Sequence, residues 1–393
     1  MSVDLNRRLA LRWLAAAAVT GGVVPVHLSL AAPARSQDAS AKRLVVVLLR
    51  GALDGLAAVP ALHDPAWGSL GRESALAQGA YLPLDGLFAL HPALTHLHRW
   101  YQEKELLVVH ATASPYRERS HFDGQQLLES GGQRPFELGT GWLGRALQAG
   151  GHPALALTAS MPLGLRGADS ASTWTPDRQR ATDTDLLERV RQLYEADPAL
   201  HAALEQAMGQ QAMVMDTTAA GGAGAVGAVS LARQAGQFLA EAKGPRVAWL
   251  ELGGWDTHTN QSARLERLLK VLDDSLAGLR AGLGVNWQHT TVLVITEFGR
   301  SATVNGTGGT DHGTGGVAMV AGGTVAGGRV LTDWPGLKRS DLLDGRDLRP
   351  TQDVRAILGA LVQHQFGLGS SQLQTHILPG FTGRTLPIWR ATT

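Results

Sequence analysis

Two short stretches set an acid and a histidine together among glycines. Residues 250–261 read LELGGWDTHTNQ and bring Asp256 and His258; residues 308–316 read GGTDHGTGG and bring Asp311 and His312. A turn needs glycine or a small polar residue, and an imidazole adds nothing to it. Glycine also lets backbone approach a ligand closely, while a histidine on such a segment gains little without a partner to hold it. Carboxylate oxygen with imidazole nitrogen and no sulfur is the ligand mix of Zn or Mn, whereas oxygen-only sets favour Mg or Ca. The 393-residue chain has no cysteine, which excludes thiolate sites, cysteine nucleophiles and disulfides and leaves His, Asp, Glu, Ser and Thr to carry any chemistry.

Three further stretches carry polar residues of the same kind. LRGALDGLAAVP at 49–60 brings Arg50 and Asp54, ATASPYRERSHFDGQ at 111–125 brings Ser120, His121 and Asp123, and TEFGRS at 296–301 brings Glu297 and Arg300. Taken alone, Asp54 is the residue type of a helix cap or turn. Arg50 and Arg300 either neutralise an anionic substrate or pair with these acids.

The elements that must position these residues alternate short β-branched runs with helical patterns, the α/β signature. Strands are expected at 43–49, 105–111, 154–158, 246–252, 290–296 and 317–322. Most are continuously apolar, as strands buried on both faces of a mostly parallel sheet must be. Residues 262–283 repeat apolar positions at three and four spacing, giving an amphipathic helix, and 184–212 also read as helical. Residues 160–182 are polar and aperiodic, a candidate lid. The Gly/Ala-rich run 217–229 reads as a connection, with a close-packed helix start as the alternative. In open α/β sheets ligands bind beyond the carboxyl ends of strands, where four of the five polar stretches fall; the fifth stands just before a strand.

At the N-terminus Arg7 and Arg8 precede a short, moderately apolar stretch, and Ala32-Pro33-Ala34 has the small-x-small pattern of a signal peptidase site. These features predict a twin-arginine signal over 1–34, a linker at 35–42 and a single α/β domain over 43–393. The partners would include the export machinery and signal peptidase, and the location periplasmic or secreted. No later segment approaches the ~20 apolar residues of a membrane helix, so no stable span is expected in the mature form. Charge is balanced, 35 Lys and Arg against 34 Asp and Glu, and offers nucleic acid no basic field.

The ordered motifs LLRGALDGL, LHPAL, SHFDGQ, GGWDTHTNQ, TEFGRS and GTDHGTGG, after such a signal, resemble the bacterial exported family called domain of unknown function 1501. That family is placed among alkaline phosphatase-like and sulfatase-like proteins, so the resemblance implies a three-layer sandwich with a mostly parallel central sheet flanked by helices. It further implies that Asp256, His258 and His312 bind one metal and that Asp54 with Glu297 bind another. Phe298 stands where the superfamily has a histidine ligand. A weak Mg or Ca site at Asp54 and Glu297 is therefore expected beside a firmer Zn or Mn site. Ser120, next to His121, is the first candidate for the implied nucleophile, with Ser114 and Thr112 behind it, and Arg50 or Arg300 is the implied stabiliser of developing charge.

The resulting expectation is an exported metal-dependent hydrolase of phosphate or sulfate esters, acting on a small-molecule or glycan ester. The alternative is a non-catalytic periplasmic protein of the same fold that binds an anion or a cell-envelope glycan. Export is testable first: replacing both Arg7 and Arg8 with lysine should trap the precursor in the cytoplasm, and unchanged appearance of processed protein in the periplasmic fraction would contradict the twin-arginine route.

Overall fold

Leu44, Val46 and Leu48 of the first strand pack on one side of the sheet and Val45, Val47 and Leu49 on the other, all of them buried. This two-sided burial is why the strand reads as an unbroken apolar run. The computed structural model describes residues 41–72, 79–175 and 223–390. The architecture belongs to the compact unit Gln37–Thr393; the unit Met1–Ser36 lies outside the described residues, and so does the helix expected at 184–212.

In chain order the strands are β1 (Arg43–Leu49), β2 (Leu82–Pro83), β3 (Ala89–Leu90), β4 (Leu106–Ala113), β5 (Ala154–Ala156), β6 (Ala171–Thr173), β7 (Val247–Leu252), β8 (Thr290–Thr296), β9 (Gly316–Ala321), β10 (Arg329–Leu331) and β11 (Gln352–Asp353). The helices used here are α1 (Gly55–Ala58), α2 (Thr95–Gln102), α3 (His121–Ser130), α4 (Trp142–Gly150), α5 (Ala223–Ala240), α6 (Gln261–Leu283) and α7 (Val354–Phe366). Nine strands make the central sheet in the order β10-β4-β9-β8-β1-β7-β5-β6, with β11 pairing β4. Helices α2, α5 and α6 cover the face of Val45 and Val47, while α4 and α7 cover the face of Leu44 and Val46. The architecture is therefore a mostly parallel sheet between two helical layers, as the sequence predicts.

One strand departs from the parallel rule. β9 runs antiparallel to both neighbours, β8 and β4. Its amino end therefore lies at the same sheet edge as the carboxyl ends of β1, β4, β7 and β8. The glycine-rich loop before β9 is thereby delivered to the edge where the other polar loops emerge.

The two low-periodicity segments turn out partly regular. The candidate lid contains a 3-10 turn at Leu163–Leu165 and the edge strand β6, which pairs parallel with β5. A short, half-exposed edge strand needs no apolar run, which is why it was illegible; residues 176–182 lie outside the described ones. The Gly/Ala-rich run is helical from Ala223 onward, the close-packed helix start rather than the connection, since packing on α6 overrides glycine's low helix propensity; residues 217–222 lie outside the described ones. The close approach is visible at Gly282, where an added Cβ would stand 2.2 Å from the Arg233 carbonyl.

Three histidines are held neutral by the fold. Burial pushes His91, His110 and His364 down to about 4 from the ordinary 6.5. Between these values the unfolded chain binds protons that the folded chain refuses, so folding stability should fall as pH drops from 6.5 toward 4. Urea denaturation at a series of pH values checks this; a flat profile across that window would contradict it.

Candidate metal centre

Three connections at this edge, one of them the long β8–β9 loop that contributes at both its ends, meet at one carboxylate. β4 leads through residues 114–120 into α3, whose first residue is His121. β7 leads into the turn carrying Asp256 and His258, β8 into Glu297 and Arg300, and the loop before β9 carries His312. Small ladders lock the last two together: Arg300 bridges His312, and Gly313 donates its N–H to Gly299 at 2.8 Å. Glycine is required at Gly313 because a Cβ would stand 2.3 Å from the Arg300 carbonyl carbon. Gly51, at φ 115, is required likewise, since a Cβ there would stand 2.6 Å from the Asp256 nitrogen.

The Nε2 atom of His312 lies 2.9 Å from Nε2 of His121 and 2.9 Å from Nε2 of His258. Asp256 Oδ1 lies 3.2 Å from His312 Nε2 and 3.0 Å from His258 Nε2, and Oδ2 lies 3.5 Å from His121 Nε2. Tetrahedral ligands at ~2.0–2.1 Å from a cation would stand about 3.3 Å apart. The donor atoms of His121, Asp256 and His312 lie within 4.8 Å of one another and come near that spacing, while His258 stands beside Asp256 and His312 and outside that group.

The outer nitrogens explain why the inner ones converge. His121 Nδ1 lies 2.8 Å from Glu297 Oε1, His312 Nδ1 lies 2.9 Å from the Arg119 carbonyl, and His258 Nδ1 lies 3.5 Å from Asp311 Oδ1. A carboxylate or carbonyl only accepts, so His121 and His312 direct an Nδ1–H outward and set Nε2 inward, and His258 Nδ1 faces Asp311 at longer range. Three Nε2 atoms and a carboxylate this close are tolerable only around a positive charge, whether proton or metal ion. Burial opposes a charged His121, but its bonds to Asp256 and Glu297 prevail and push it up to about 9. Burial likewise opposes ionised Asp256, and hydrogen bonds from His121, His312 and Arg300 hold it far below the usual carboxylate range. With that proton displaced by a cation, imidazoles held from their Nδ1 sides and a firmly ionised carboxylate would form a donor set that fits a divalent transition metal.

The walls of the centre are unequal. Phe298 stacks on His121 with centroids 5.0 Å apart and closes that side. Asp256 and His258 side chains are 41% exposed, against 27% and 25% for His121 and His312, so solvent reaches the cluster from the His258 side.

A family model described as "Protein of unknown function (DUF1501)" matches residues 106–378, which hold all four converging residues. The chain belongs to that family. No curated protein matches it. Among solved structures it is similar to Ps i-CgsB in complex with k-i-k-neocarrahexaose, at 12% identity over 72% of this chain and 66% of that one, TM-score 0.35. The C-terminal periplasmic domain of EcEptC from Escherichia coli, in complex with Zn, shares 10% identity over 73% and 74%, TM-score 0.33. A Bacteroides thetaiotaomicron protein designated BT33494S-sulf, from work on the metabolism of multiple glycosaminoglycans, shares 8% over 84% and 74%, TM-score 0.39. The chain spans just under two thirds of the first of these, and likenesses this remote say nothing of its activity.

In this DUF1501 chain several expected site residues stand elsewhere. Asp54 is not brought to the cluster: its buried carboxylate takes the Arg72 guanidinium, Gln261 Nε2 at 2.7 Å and the Ala57 N–H at 3.1 Å, capping α1. Glu297 lies behind His121, with Oε1 accepting from Gly51 N–H at 2.8 Å, Gln125 at 3.0 Å and His121, so its Oε1 orients that imidazole. The two carboxylates expected to share an oxygen-only site are thus engaged with separate sets of protein donors. Arg50 pairs with Glu251 at 2.7 Å and Glu129 at 2.9 Å, and Arg300 with Asp256 at 2.6 Å, so both arginines are committed to acids. Ser120 caps α3, its hydroxyl accepting from the Asp123 N–H, where a nucleophile had been expected. His121, expected beside that nucleophile, stands among the converging ligands.

Sequence reasoning missed Gln125, Arg119 and Arg72. Gln125 was findable, since it lies four residues after His121 on a helix and so on the same face. The backbone carbonyl of Arg119 leaves no sequence signal. The division between brace and ligand is testable. Asp54→Ala should keep metal in the folded fraction while costing about 3–5 kcal/mol, because Arg72 is left buried and unpaired; His312→Ala should lose the metal. Elemental analysis beside thermal denaturation reads both, and metal loss in Asp54→Ala would overturn the distinction.

Proposed function

We propose that the chain is an exported metal-dependent ester hydrolase holding one divalent cation, Zn or Mn, at His121, Asp256, His258 and His312. The observation that carries this reading is that His121 and His312 are held from their Nδ1 sides by oxygen acceptors while the Nε2 atoms of all three imidazoles face one carboxylate. A divalent cation bound there would polarise an ester oxygen and acidify a water. The chain's own groups do the rest. Glu297 fixes the His121 tautomer, Arg300 holds Asp256 ionised and aimed inward, and Phe298 keeps water from the back of His121. His258, the most open ligand, borders the side from which a substrate arrives.

Phosphate and sulfate esters, small or on a glycan, are the substrate classes that the family resemblance favours. Since Arg50 and Arg300 are paired with carboxylates, the substrate's charge would be met by the cation itself. The twin-arginine signal at 1–34 and a periplasmic or secreted location belong to the same proposal; no helix among the described residues is long and apolar enough to cross a membrane. The second reading, a binder of an anion or envelope glycan without turnover, is favoured by one observation: Ser120 is occupied as a helix cap.

The deciding experiment purifies the chain without chelator or added metal, measures its metal content, and assays aryl phosphates, phosphodiesters and sulfates. The expected outcome is bound Zn or Mn and hydrolysis of one class, lost on chelation and in His258→Ala and restored to wild type by the metal. Absence of metal would overturn the reading, while bound metal with no turnover on any class would favour the binder.

A further inference from the structure

We infer that Asp347 is a positioning residue for this centre, acting on His312 through Arg119; the inference rests on the metal-site reading. The Arg119 carbonyl that fixes the His312 tautomer belongs to a residue at φ 63, a left-handed conformation that a non-glycine residue adopts only when its surroundings impose it. What imposes it is a carboxylate from a distant segment. Arg119 Nε and Nη2 lie 2.9 and 2.8 Å from Oδ2 of Asp347, whose side chain has no exposed surface.

The same Oδ2 accepts the Thr314 hydroxyl at 2.8 Å, and Thr314 lies two residues past His312. One carboxylate oxygen therefore grips both the residue that orients the His312 ring and the strand-entry segment that carries it. Its backbone is fixed to the same loops: Asp347 bridges Ser301, Gly315 N–H donates to the Leu348 carbonyl at 3.0 Å, and Ala302 N–H to the Arg346 carbonyl at 3.0 Å. Arg346 already neutralises Asp347 at 2.7 Å through Oδ1. The second guanidinium, which also reaches the exposed Asp344 at 3.7 Å, comes from the loop that presents the carbonyl. A purely stabilising ion pair has no need of that choice.

The test uses the full chain loaded with cobalt(II), read by its visible absorption and by affinity in competition with a chelator. Asp347→Asn and Arg119→Gly should each weaken cobalt binding by roughly 10- to 100-fold and alter the spectrum, the range for loss of a group that orients a metal ligand. Glycine adopts φ 63 without strain, so Arg119→Gly frees the carbonyl without adding backbone cost. Arg119→Lys, which keeps the charge, should recover part of the loss. If wild type binds no cobalt, the metal-site reading fails and the inference with it. If wild type binds and folded Asp347→Asn and Arg119→Gly match it in affinity and spectrum, the positioning role is overturned and the metal site stands. Should Asp347→Asn fail to fold, Arg119→Gly decides alone.

Discussion

A loop that precedes a strand reaches the edge where other strands end only if its own strand runs backwards. The reversal of β9 meets that condition, and the centre depends on it. With β9 parallel to β8, residues 308–315 would leave the sheet at the far edge, a strand length from Asp256. The reversal also sets Arg300 against His312 in a short antiparallel bridge, so the arginine that pairs with Asp256 and the imidazole beside it arrive as one unit. Topology decides here which side chains can meet before any of them makes a bond.

Around that edge the fold uses buried carboxylates as anchors. Asp54 ties Arg72 and Gln261 into one network; Thr257 and Thr310 both donate to Gln261, at 2.8 and 2.7 Å, which braces the turn after β7 against the loop before β9. Glu297 joins Gly51, Gln125 and His121, and Arg50 continues the chain from Gln125, at 2.6 Å, to Glu129 and Glu251. Each anchor is buried and its charge is met by an arginine or several N–H donors, the condition under which a buried carboxylate is tolerable. Asp256 differs, being partly exposed while facing three imidazoles.

Much of this was legible in sequence, for reasons that can be stated residue by residue. The strands at 43–49 and 290–296 match observed β1 and β8 because two-sided burial leaves a continuous apolar run, and β4, β7 and β9 were found for the same reason. Asp256, His258 and His312 stood out because glycine-rich turns have no structural use for imidazole. Misplaced were the carboxylates: Asp54 and Glu297 follow strands just as Asp256 does, and residue type cannot tell a ligand from a brace when the deciding partners, Arg72 and Gln125, lie far off in the chain. The short strands β6, β10 and β11 have too few residues to carry a period, and the chain direction of β9 leaves no mark in its composition.

His121 and His312 touch across 191 residues of sequence. No unfolded chain holds such a donor set together, so whatever affinity the centre has for a cation is also a contribution to folding. By mass action, free cation at a hundred times its dissociation constant would stabilise the folded state by about 2.7 kcal/mol. Cation binding at the centre and folding of the chain are then linked equilibria, so a cation bound there would tie together segments that the sequence keeps far apart.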